Sequence, residues 1–445
     1  MATALAAPNL ILVSLDTTRA DALSCYGTPP GLRVGAPPVT PHLDALAASG
    51  VRFERAWASA PSTLSSHTTM FTGLDPHGHT VVRNGYPAPA VLETLAERLS
   101  EEGWHTVAAV GGAPLEAAMG LDQGFAVYDD ALPSLDGLAY QDRADGVVSR
   151  ALAHVHERPP DKPLFLFVHL FDPHAPYAPE GANPWLPDGY AGPYVDPYAS
   201  QVDLVAAIEA GTEDADDLAA VVGRYVAEVH AADAAVGRLL SGLEGAGLMD
   251  ETLVVVTADH GEVLGEHPLY ALSHGSDVTD GALRVPLLVA GRGLPVARGA
   301  VVRSQVGLVG LAGTLEALVG LEPRLGEPRQ RFERLVRAGP YVDEDGWPER
   351  PTRPLFLEAT RPRARERVDG WNNLDFHRGV VMGDSVLRAA PVFGEPAAVE
   401  AGPLGLRALL AALIARWDGQ APAHREEPPL APAMERALRA LGYLD

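Results

Sequence analysis

Five apolar runs in this 445-residue chain stop abruptly, and three of them stop at acids. "NLILVSLD" (9–16), "KPLFLFVHLFD" (162–172) and "ETLVVVTADHGE" (251–262) carry carboxylates just past the run, while "HTVAAVGG" (105–112) and "LRVPLLVAG" (283–291) have the same texture. A short, continuous apolar run bounded by polar residues is a strand buried on both faces. Between them lie helical patterns. "TPHLDALAASG" (40–50) has Thr40 as cap, Pro41 in the first turn and Gly50 at the end; "APAVLETLAERLSEEG" (88–103) and "DLAAVVGRYVAEVHAADAAVGRLLSGLEGAG" (217–247) follow. Strands alternating with helices predict an α/β fold, a large, mostly parallel central sheet flanked by helices. In such sheets ligands bind at the carboxyl ends of the strands, where these polar clusters fall.

The texture changes after about residue 340. "RPRARERVDGWNNLDFHRGVVMGDSVLRAAPV" (361–392) predicts a small antiparallel sheet, "GQAPAHREEPPLAPA" (419–433) a Pro-rich linker and "MERALRALGYLD" (434–445) a closing helix. The expected division is 8–340 catalytic domain, 341–418 smaller C-terminal α+β subdomain, and 419–445 linker and helix.

The formal net charge of −24 argues against nucleic acid or an anionic membrane surface as partner. The single cysteine, Cys25, excludes an intrachain disulfide. The N-terminus lacks a basic region, its apolar run ends at Asp16, and no run of transmembrane length occurs, so a cytoplasmic location is expected.

Asp16, Asp259 and His260 offer three metal ligands at the ends of two strands, and a nearby hydroxyl could add a fourth. Mixed Asp and His donors suit Zn²⁺ or Mn²⁺ better than Ca²⁺, which prefers an all-oxygen shell. "SAPSTLSSHTTMFTG" (59–73) has the cadence of a nucleophile-bearing turn entering a helix, with several hydroxyls and no cysteine. His169 reads as a satisfied strand-end histidine, and Asp21 and Glu262 as caps or supporting contacts. Trp185, Tyr190 and Tyr194, in a Pro-rich loop, serve either a pocket or packing.

The ordered set "NLILVSLDTTRADALSCYG", "TPHLDALAASGVRFERAWASAPSTLSSHTTMFTGLDPHGH", "FLFVHLFDPHAPYAP", "TLVVVTADHGEVLGEH" and "LRVPLLVAG" resembles the sulfatase family of the alkaline phosphatase superfamily over roughly residues 8–320. The resemblance implies an alkaline-phosphatase-like fold, a metal at the strand ends and a covalent intermediate at Thr63. Sulfatases carry Cys or Ser there, in a C-x-P-S-R-like motif oxidised to formylglycine. Here the motif reads T-L-S-S-H, with His67 in place of Arg, and threonine cannot become that aldehyde. Cys25 sits in the wrong context.

The arrangement is instead similar to phosphodiesterases whose metal-bound Thr is the nucleophile. Asn84, twenty-one residues on, falls where those enzymes and phosphonate monoester hydrolases place an Asn that binds a non-bridging oxygen. Its bland alternative is the "NG" turn it sits in. A formylglycine hydrate expels sulfate by collapsing to the aldehyde. A Thr ester has no such exit and needs direct attack by water, which favours phosphorus.

The two lysines that clamp sulfate in the family are missing: the only lysine, Lys162, precedes a strand. His174 and His274 are the candidates to replace them or to protonate the leaving group. His67 would orient Thr63 or contact substrate. Thr17 stands where the family has a second Asp, and Asp172 and His174 have the wrong spacing for a second zinc, so one divalent ion is expected.

The expected function is hydrolysis of phosphodiesters or phosphonate monoesters, small anionic esters, through phospho-Thr63. The alternatives are a sulfuric ester hydrolase, a soluble phosphotransferase, or a binding protein on a decayed scaffold.

Overall fold

A computed structural model describes residues 7–29, 31–32, 36–135, 138–139, 141–266, 271–276, 278–339, 354–362, 374–382, 385–392, 395–399 and 404–418. The expected linker and closing helix, 419–445, lie outside these. The central sheet contains β1 (Asn9–Leu15), β2 (Val51–Trp57), β3 (His105–Val110), β4 (Val127–Asp129), β5 (Leu164–Leu170), β6 (Thr252–Thr257), β7 (Leu287–Arg292) and β8 (Ala300–Gly307). Their spatial order is β8-β2-β7-β6-β1-β5-β3-β4. Among these eight strands all pairings are parallel except those of β7, which runs against both β6 and β2.

β1, β5 and β6 are the middle of the sheet and, apart from half-buried Asn9, buried along their whole lengths. That burial is why their sequences run apolar without alternation. Parallel register pairs Ser14 with His169 on one side and with Thr257 on the other, so Asp16, His169 and Asp259 emerge together at one edge.

The run 283–291 is not one strand. Pro286 has no N–H to donate, and it separates a two-residue segment, Arg284–Val285, paired to β2, from β7.

Helices cover the sheet: α1 (Pro41–Ser49), α2 (Thr63–Thr72), α3 (Ala144–Glu157) and α4 (Ala215–Gly245) among them. α1 starts and stops where expected, but Thr40 does not cap it with its side chain. The Thr40 hydroxyl instead donates to Asp44 and accepts from the Ser24 N–H. The helix expected over 88–103 forms only as Leu95–Glu101, with Thr94 and Glu97 making a capping box.

The C-terminal segments Leu355–Pro362, Leu374–Met382, Ser385–Val392 and Glu395–Val399 form the expected antiparallel sheet. It docks beside the segment leading to α2, where the Glu358 N–H donates to the Ser59 carbonyl and Thr360 Oγ1 to that of Val82. Among the described residues, no helix is long and apolar enough to cross a membrane.

Candidate active site

The carboxyl ends of β1 and β6 bring two acids into contact. Asp16, Asp259 and His260 are each fully buried, and one donor atom from each lies within 4.8 Å of the others. Asp16 Oδ2 accepts from His169 Nε2 at 2.9 Å, and Asp259 Oδ1 accepts from the N–H of His260 at 2.8 Å and of Thr17 at 3.2 Å. The other oxygens, Asp16 Oδ1 and Asp259 Oδ2, have no hydrogen-bond partner.

Burial raises the Asp16 carboxyl to about 6, against the pull of His260. Burial and the Asp16 charge raise Asp259 to about 7. His260 is lowered to about 4 by burial, and its Nδ1 donates to the Gly261 carbonyl at 2.9 Å, leaving Nε2 as the bare nitrogen. Two carboxylates with orphaned oxygens beside a neutral imidazole fit a divalent cation, which would meet the unpartnered oxygens and offset their repulsion.

Thr63 opens α2 next to this group. Its Oγ1 lies 3.5 Å from His260 Nε2 and close enough to Asp16 to favour that carboxylate's charge. His67, one turn on, uses both ring nitrogens: Nδ1 donates to the Thr63 carbonyl at 2.7 Å, and Nε2 accepts from Ser14 Oγ at 2.9 Å. Burial pushes it down to about 3. His67, His169 and Asp259 also fall within ligand distance of one another, but a histidine with both nitrogens engaged has no lone pair left to give. Of the two roles expected for His67, the holding of Thr63 is the one with geometry, because both ring nitrogens are already taken by protein partners. Ser66 Oγ donates to the Asp259 carbonyl at 2.6 Å, tying α2 to β6 as well.

Asn84 serves both readings of its sequence. Gly85, at φ 89°, makes the turn. The Asn84 side chain nonetheless reaches α2: Oδ1 accepts from Ser62 Oγ at 3.1 Å and from the Leu64 N–H at 2.8 Å. These contacts flank Thr63 on both sides in sequence. Asn84 Nδ2 is buried without a partner.

His274 and His174 sit edge to face, 5.0 Å between ring centres, and His274 is 4.6 Å from His260. Glu262 lies 3.1 Å from His274 Nδ1, and the Tyr177 hydroxyl donates to the same carboxylate. Burial disfavours the charge on His274, but Glu262 outweighs it, and the net shift is upward. His174 stacks on Phe171 at 4.5 Å, donates from Nδ1 to the Ala175 carbonyl and is pushed down to about 3 by burial and by His274. Of the two, His274 is the one equipped to carry a proton.

Sequence reasoning missed three supports. His169 is satisfied, as read, but its partner is Asp16, which periodicity cannot reveal. Tyr225, in the middle of α4, donates to the Thr17 carbonyl and accepts from the Arg19 N–H, both at 3.0 Å. Thr17 itself holds φ 49°, left-handed backbone that costs a β-branched residue about 1–2 kcal/mol.

The loop aromatics mostly pack: Trp185 Nε1 donates to the Pro37 carbonyl, the Tyr190 hydroxyl to Asp217, and Tyr194 is buried. Trp185 also borders a cavity of about 260 Å³ with Arg143, Asp172 and His230.

Residues 8–321 match the family described as Sulfatase, and the chain belongs to that family, within the alkaline phosphatase superfamily. An ulvan-active sulfatase of Formosa agariphila is 25% identical over 74% of this chain, and an uncharacterized sulfatase, YidJ, of Escherichia coli is 24% identical over 71%. The chain spans 65% and 68% of the lengths of these two relatives. Among solved structures, a phosphonate monoester hydrolase of Agrobacterium radiobacter superposes with a TM-score of 0.63 at 21% identity, covering 86% of this chain and 89% of its own. A protein solved with its substrate D-glucosamine-2-N,6-O-disulfate superposes with a TM-score of 0.68 at 17% identity, covering 94% and 100%. These likenesses show the fold.

Proposed function

We propose that this protein is a metal-dependent hydrolase of phosphodiesters or phosphonate monoesters that works through a covalent ester on Thr63. One observation carries the reading: a threonine, not an oxidisable cysteine or serine, opens α2 with its hydroxyl against Asp16 and His260. Asp16, Asp259 and His260, with Thr63, would hold one Zn²⁺ or Mn²⁺ ion. When bound, the ion would draw charge from the Thr63 hydroxyl so that it ionises near neutral pH.

His67 fixes the helix turn that aims Thr63. Thr63 Oγ1 then attacks phosphorus in line, forming an O–P bond as the bond to the leaving oxygen breaks. His274, whose protonated form Glu262 favours, gives its proton to that oxygen. Asn84 Nδ2, the donor left open, binds a non-bridging oxygen, a fixed dipole aimed where charge accumulates. Water next attacks phosphorus, His274 takes its proton, and Thr63 leaves as the alkoxide, the ionised form in which it began the cycle.

Sulfuric ester hydrolysis is the second reading, favoured because the curated relatives include an ulvan-active sulfatase and an arylsulfatase of Clostridium perfringens. Turnover of bis-p-nitrophenyl phosphate against p-nitrophenyl sulfate separates the two, with metal content measured in parallel. The proposal expects diester turnover, about one bound ion per chain, and none of that activity in a folded Thr63→Ala variant. Sulfate turnover alone rejects it.

A further inference from the structure

We infer that the Thr17 hydroxyl is a further oxygen ligand of the cation held by Asp16, Asp259 and His260, and that it biases the site against Ca²⁺. The inference rests on the cation-site reading above. Thr17 is fully buried, and its Oγ1 has no hydrogen-bond partner. Its other polar groups are accounted for: the N–H donates to Asp259 Oδ1, and the carbonyl accepts from the Tyr225 hydroxyl. Thr18, the next residue, satisfies its own hydroxyl on the Asp16 carbonyl. A buried hydroxyl with nothing to bond is costly, so its partner is something that occupies the site.

The backbone adds an independent reason. At φ 49° a glycine would sit without strain, yet a β-branched residue stands there. Such strain persists where surroundings over-determine it and clusters at functional sites. Here the Tyr225 and Asp259 contacts hold it.

Reach follows from covalent geometry, since Oγ1 stays within about 3.7 Å of its own amide nitrogen. That nitrogen is 3.2 Å from Asp259 Oδ1, on the carboxylate whose other oxygen is bare. A hydroxyl ligand adds an oxygen without adding charge. The shell would then be two carboxylates, one imidazole and the hydroxyls of Thr17 and Thr63, which suits Mn²⁺ or Zn²⁺ over the carboxylate-rich cages of Ca²⁺.

The test is metal affinity, read without turnover. Protein stripped with chelator is titrated with Mn²⁺, Zn²⁺ and Ca²⁺ against a chromophoric chelator, for wild type and for Thr17→Ser, Thr17→Val, Thr17→Gly and Thr17→Asp. Thr17→Ser should stay within about threefold of wild type, while Thr17→Val and Thr17→Gly should bind Mn²⁺ at least about tenfold more weakly. Thr17→Gly relieves the backbone, so its metal-free form should unfold at or above the wild-type temperature; it carries the comparison if Thr17→Val does not fold. Thr17→Asp should gain Ca²⁺ affinity. Wild-type Mn²⁺ affinity in Thr17→Gly, or no Ca²⁺ gain in Thr17→Asp, overturns the inference. Failure of the wild type to bind any of the three ions instead overturns the cation-site reading beneath it.

Discussion

Replacing Asn84 by Asp removes one function of that side chain and keeps the other. Oδ1 accepts from Ser62 Oγ and the Leu64 N–H, and a carboxylate oxygen can do the same. The added charge also sits at the N-terminus of α2, where the helix dipole favours it. Burial opposes that charge, as it does on Asp16, so unfolding free energy should fall by about 1–3 kcal/mol. What disappears is Nδ2, the buried donor without a partner. Loss of one such donor to a developing oxyanion costs about 2.7–4 kcal/mol, or about 10²–10³ in rate, and repulsion of an anionic substrate adds to it.

The assay is kcat/KM on bis-p-nitrophenyl phosphate alongside thermal unfolding. Asn84→Asp should lose at least about a hundredfold in activity while still unfolding in a single cooperative transition. Asn84→Ala also strips the acceptor from Ser62 and Leu64, and should lose about 1–3 kcal/mol of stability besides. A folded Asn84→Asp within tenfold of wild type would show that Nδ2 does not meet the reacting group, and that the turn alone explains this residue.

Glu262→Gln removes the charge that favours protonated His274, so turnover of substrates with alkyl leaving groups should fall by about tenfold or more. In kcat/KM, which reports the first transfer alone, nitrophenyl substrates, whose leaving group needs no proton, should change little; an equal fall in kcat/KM on both would contradict the acid role given to His274. Gly112→Ala would place a Cβ 2.5 Å from the Phe171 ring, which stacks on His174. It should cost about 1–3 kcal/mol of stability and reduce turnover, and wild-type values for both would refute that coupling. Saturating Mn²⁺ or Zn²⁺ should stabilise the stripped protein by about 4 kcal/mol at a thousandfold excess over Kd. That gain should grow from pH 5 to pH 8, because protons on Asp16, raised to about 6, and Asp259, raised to about 7, compete with the ion. A gain independent of pH, read by calorimetry, would place the ion elsewhere.

The sheet's core was legible because β1, β5 and β6 are buried on both faces, so their apolar runs are unbroken and the polar residues after them stand out. Asp16, Asp259 and His260 were legible for that reason. The direction of β7 was not, since hydrophobicity carries no sign and only pairing fixes it. The interruption at Pro286 is readable in principle from its missing N–H, but the apolar run around it hides the break. Partner identities were the least readable. His169 meets Asp16 only because two strands pair in register, and Tyr225 reaches the Thr17 carbonyl across 208 residues. His67 was half readable: its spacing of four from Thr63 allows the carbonyl contact, but Ser14 as the second partner depends on how α2 lies against β1.

The most direct measurement is peptide mass spectrometry of enzyme quenched during turnover of a diester substrate. The account expects the phosphoryl half of the substrate esterified to Thr63, and no such adduct in Thr63→Ala. An adduct on Ser62, Ser65 or Ser66 instead, or rapid turnover with no adduct on the protein, would contradict it.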